Sequence, residues 1–73
     1  MKVYITFGQQ HIHSVNGQTF DKNCVAVIEA GNYMEGRNLA FEAFNDQWCF
    51  AYSEADWSPE QMKYFPRGYI NVN

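Results

Sequence analysis

The segment Cys24-Val25-Ala26-Val27-Ile28-Glu29-Ala30 constrains this chain more than any other. Small and β-branched apolar residues stand at nearly every position and leave no polar face, the pattern of a central strand buried on both sides. Such a strand needs hydrogen-bonding neighbours on both edges and cover on both faces. Gly31-Asn32 follows at once, and Asn32 with Glu35 three residues later forms a capping box. The expected helix runs over about residues 32–45. At about 100° per residue, Glu35, Asn38, Glu42 and Asn45 share one polar arc. Tyr33, Gly36, Ala40, Ala43 and Phe44 gather opposite, flanked by Leu39 and Phe41, and the small residues among them let the helix axis approach a sheet closely. Arg37 is the misfit on that apolar side; it is expected to snorkel past the sheet edge or to pair with a carboxylate.

The remaining elements follow from alternation and turn chemistry. Lys2 to Phe7 places Val3, Ile5 and Phe7 on one face of a strand and Tyr4 and Thr6 on the other. Asn16-Gly17 supplies the two positive-φ positions of a type I′ turn, so Val15 should face Gln18 and His13 should face Phe20. Gln47 to Ser53 reads as a strand with Trp48, Phe50 and Tyr52 on one face and Cys49 and Ala51 on the other. Ser58-Pro59-Glu60-Gln61 starts a short helix over about residues 59–64, which Pro66 limits. Gly68 to Val72 closes the chain as a strand. The expected architecture is α+β: a single domain, residues 1–73, with a small, mostly antiparallel sheet covered on one face by one amphipathic helix.

A chain of 73 residues buries only about 60–65% of its unfolded surface, so its margin of stability is thin. Thirteen aromatic residues against a single leucine, Leu39, make the expected core aromatic and β-branched. Those rings exceed what one helix can hide, which predicts a second copy on the other sheet face, a homodimer. Cys24 and Cys49 each lie in an apolar run and are expected as buried free thiols, with one disulfide as the alternative. No leader pattern follows Lys2 and no apolar stretch is long enough to span a bilayer, so the expected location is cytoplasmic, with no membrane partner.

The formal charge of −3 supplies no basic stripe, and nucleic acid is a disfavoured partner. His11 and His13 share a strand face and have the intrinsic pKa for proton transfer, but no nucleophile or orienting acid stands at a recognisable offset. With Asp21 and Cys24 they match no zinc spacing, so no metal and no cofactor is assigned. Lys63-Tyr64-Phe65-Pro66-Arg67-Gly68-Tyr69 mixes basic and aromatic side chains, the chemistry that stacks bases, yet Asn71 stands where an RNA-recognition motif needs its next ring. No phosphate loop and no paired carboxylates are present, and enzymatic activity is not expected.

The strings Thr6-Phe7-Gly8-Gln9-Gln10-His11-Ile12-His13-Ser14-Val15-Asn16-Gly17-Gln18-Thr19-Phe20-Asp21 and Phe65-Pro66-Arg67-Gly68-Tyr69, with Tyr33-Met34-Glu35-Gly36-Arg37, resemble small uncharacterised proteins of tailed bacteriophages and prophages. No activity attaches to that group, so no functional residue carries over. The resemblance implies the cytoplasm of an infected bacterium and a setting in which small proteins disable host factors, CRISPR-type defence among them. The expectation is therefore a non-catalytic binding module that inhibits a host protein by contact, with Trp57, Tyr64 and Arg67 as anchors. The alternative is an oligomer that sequesters a small-molecule nucleotide signal between His11, His13, Tyr64 and Arg67. A minimal nucleic-acid module comes third.

Overall fold

In the computed structural model, which describes residues 1–73, the apolar segment is a strand with five of its six residues buried. The strands are β1 (Lys2–Thr6), β2 (His13–Val15), β3 (Gln18–Phe20), β4 (Cys24–Glu29), β5 (Phe50–Ser53) and β6 (Gly68–Asn71). The helix α1 spans Tyr33–Phe44, and a 3-10 helix spans Pro59–Tyr64. Four strands form one sheet in the order β5-β1-β4-β6, so β4 is central as its composition requires. β1 runs antiparallel to β4 and β5, while β6 runs parallel to β4. The fold is α+β with a mostly antiparallel sheet. No helix is long and apolar enough to cross a membrane.

Local signals placed the elements well. Asn32 caps α1 with its side chain accepting the Glu35 N–H at 2.8 Å, and the Glu35 carboxylate accepts the Gly31 N–H at 3.1 Å. The reciprocal bond thus closes one residue before the cap itself. Asn45, at φ 57°, ends the helix with its N–H bonded to the Phe41 carbonyl. Asn16 and Gly17 take φ of 51° and 81°, and the hairpin pairs Val15 with Gln18 and His13 with Phe20.

Alternation along β1 and β4 divides the interior into two layers. On the α1 side, Val3, Ile5, Phe7, Cys24, Ala26 and Ile28 pack with Ala40 and Phe44, and Phe20 enters from the hairpin. Phe44 meets the Phe7 ring at 5.0 Å and the Phe20 ring at 4.9 Å between centroids, both near edge-on. On the opposite side the chain covers itself. The connection after β5 lays Trp57 parallel on Tyr4, with centroids 5.1 Å apart and an 11° interplanar angle. Trp57 also touches Tyr52 and Phe65, and its indole N–H donates to the Tyr69 hydroxyl at 3.0 Å. A total surface of 4514 Å² is close to the about 4,650 Å² expected of a compact monomer of this mass. Residues 54–67 thus cover part of the second sheet face, while Phe50, Tyr64 and Tyr69 stay exposed.

Three further expectations are corrected. The fifth strand starts at Phe50 rather than Gln47, because the chain enters it with the Cys49 N–H bonded to the Thr6 carbonyl at 2.7 Å while Trp48 packs back on Phe41 of α1. Trp48 thus lies away from the Phe50–Tyr52 pair. Cys49 is exposed; only Cys24 is buried, and both thiols are free. The short helix occupies the expected Pro59–Tyr64 but winds as 3-10, and Ser58, read as its N-cap, makes no side-chain capping bond.

Candidate functional site

The five residues singled out by sequence meet different fates. His13 stands edge-on to Phe44 at 5.6 Å, half-buried as part of the packing on the helix side. His11 is also half-buried, and no group of three His, Cys, Asp or Glu side chains comes together to hold a metal ion. Trp57 is only 7% exposed and serves the fold's second layer. Arg67 pairs with Asp21 at 3.3 Å, and its N–H donates to the Asn23 carbonyl at 2.8 Å. The two distinctive strings around Asp21 and Arg67 therefore dock on one another. Tyr64 alone stays free, 68% exposed. Within one chain His13 packs on the helix layer while Tyr64 stands on the opposite one, so a site joining the two would have to form between subunits.

Two surfaces leave large apolar side chains open. The first is on α1. Met34, Arg37 and Phe41 recur at helical spacing along one stripe, with Met34 58% and Phe41 46% exposed. Trp48 closes the stripe: its ring meets Phe41 at 5.0 Å, and the Arg37 guanidinium lies over it at 5.8 Å. The Trp48 indole N–H is tied to the Asn45 carbonyl at 3.1 Å, which fixes the ring in place. Arg37, the misfit of the helical pattern, was the sequence signal for this cluster, because a cation on an apolar face needs an aromatic or acidic neighbour. Nothing local identified that neighbour as Trp48.

The second surface is a cleft of about 250 Å³ at the end of the opposite layer, walled by Phe50 and Tyr64 with Phe65, Lys22 and Cys49 around it. Phe50 is 59% exposed, an unusual placement for a ring next to the sheet's own layer. Gly8, at φ 64°, borders the cleft; a Cβ there would come within 3.3 Å of the Cys49 Cβ, so the bare backbone lets Cys49 sit close. Sequence reading missed Phe50 because its alternation looked like that of a covered strand.

The two thiols differ in chemistry as well as in place. Burial pushes the Cys24 thiol up from its ordinary value, against the opposing pull of its bond to the Asp21 backbone. Cys49 lies in the open cleft. In native protein, Ellman's reagent should therefore titrate one thiol per chain at once and the second only after denaturation. Two fast thiols, or none, would contradict the assignment.

No family model matches the sequence, and comparisons with curated proteins and with solved structures give no match either.

Proposed function

We propose that this protein is a non-catalytic binding module, a small phage-encoded accessory protein that inhibits a bacterial host factor by protein–protein contact. The Met34–Arg37–Phe41–Trp48 stripe is its contact surface. One observation carries the reading: Arg37 and the exposed Phe41 are assembled on the outside of the helix layer around Trp48, which packs against the core on its inner side and is fixed there. Trp and Arg are the side chains that dominate interface energies, and prior fixing lowers the entropy cost of using them. The phage resemblance makes a host protein in the bacterial cytoplasm, a CRISPR-type defence complex included, the partner class.

Tagged protein purified gently from bacterial cells should retain a defined host protein in fixed ratio. Arg37→Glu or Phe41→Ser should each weaken that complex about 30-fold or more, with circular dichroism unchanged. Retention by both variants at wild-type strength would remove the stripe from the contact. Sedimentation of wild type and Phe41→Ser separates the remaining possibility: a dimer lost in the variant would make the occupant a second copy of the chain.

A further inference from the structure

We propose that the cleft between Phe50 and Tyr64 is a binding site for a single nucleotide, its base packed on the two rings and its phosphate held by Lys22 and Lys63. Four observations support this, and none involves the α1 stripe. Phe50 and Tyr64 are the two large rings of this layer that the fold leaves most open, and they border the same cleft. Such rings offer π faces to any base. Lys22 lines the cleft, and the Lys63 ammonium stands 5.2 Å from the Tyr64 ring centroid in the adjoining hollow, which shares Tyr64 as its wall.

Neither lysine is in an ion pair; the two pairs in the molecule join Met1 to Glu29 and Arg67 to Asp21. Of the five basic residues in an acidic chain, Lys22 lines the cleft and Lys63 flanks its Tyr64 wall, so unneutralised positive charge stands beside the open rings here. Its volume of about 250 Å³ lies below that of pockets that enclose drug-sized ligands, so it holds one ring system rather than an extended cofactor. The net charge of −3 sets the upper limit on the ligand: one phosphate meets two free lysines, whereas a long polyanion would run on over acidic surface.

The test is a titration of the full chain with AMP, GMP, CMP and UMP, followed by amide NMR shifts. Adenosine and inorganic phosphate serve as the separated halves, and a ten-nucleotide single strand as the polymer. At least one mononucleotide should bind and shift the amides of Lys22, Cys49, Phe50 and Tyr64. Each half should bind at least about tenfold more weakly, because stacking and charge act together. Phe50→Ser, and Lys22→Glu combined with Lys63→Glu, should each weaken binding by about tenfold or more; all three residues are exposed, so the variants keep the fold. The proposal is overturned if none of the four nucleotides binds, if the shifts map elsewhere, or if the variants bind as wild type does. A ten-nucleotide strand binding more than about tenfold tighter than any monomer would overturn it in favour of a strand-binding groove.

Discussion

Replacing Gly36 with alanine should destabilise this protein by about 2–3 kcal/mol, although alanine is the better helix former by about 1 kcal/mol. The reason is the closeness of α1 to β1. A methyl group at position 36 would stand 2.7 Å from the Val3 β-carbon and nearer still to its Cγ2. The β-carbon of a strand residue is anchored to the backbone and cannot swing aside, so the whole helix must lift off the sheet. Stability for 73 residues is of the order of 4–11 kcal/mol, which makes this loss a large share of the total. Urea denaturation of Gly36→Ala, Val3→Ala and the double variant tests the cause. The Val3 truncation should cost at least about 1 kcal/mol less in the Gly36→Ala background than alone. Strict additivity would show that the contact is not the source of the loss.

Phe44→Ala should have the larger effect, about 3–5 kcal/mol, enough to leave much of the population unfolded at room temperature. Phe44 is fully buried and is the meeting point of Phe7, Phe20 and His13, which ties α1, β1 and the hairpin together. Removing its ring opens a cavity that three elements would have to collapse into. Phe41→Ala is the internal control, the same substitution one turn earlier on the same helix. Because that ring is 46% exposed and touches only Trp48 among the aromatic groups, its loss should cost under about 1 kcal/mol. Comparable losses for the two variants would contradict the division of α1 into a core face and a contact stripe.

That division was only half legible in the sequence, and the reason is physical. Features written in neighbouring residues could be read: the Asn32 cap, the Asn16-Gly17 turn and its register, and the two-sided burial of β4. Features that depend on what arrives from far along the chain could not. Glu54-Ala55-Asp56 reads as a polar connection, yet Trp57 directly after it carries the cover of the second layer by stacking on Tyr4. The Lys63–Tyr69 string suggested a binding motif, but its arginine is held by Asp21, just ahead of the neighbouring core strand. The same holds for the candidate sites. Tyr64 kept the exposure that its composition suggested, whereas Trp57 lost it. Phe50 and the Arg37–Phe41–Trp48 cluster escaped notice, because whether a ring is core or surface is decided by tertiary neighbours rather than by alternation.

The sheet order also sets how this chain can be assembled in time. The Asn16–Gly17 hairpin is the one pairing between strands adjacent in sequence, and it lies outside the four-stranded sheet. Every pairing within that sheet joins distant segments: Ile5 with Ala26, Val3 with Ser53, Cys24 with Gly68. Loop-closure entropy must be met before any of these contacts yields stability, which slows folding relative to helical chains of the same length. β1 has a free edge until β5 pairs with it, and β4 has one until β6 does. The aromatic second layer, in which Trp57 stacks on Tyr4 and bonds to Tyr69, therefore closes only when segments from both ends of the sheet's connectivity have met.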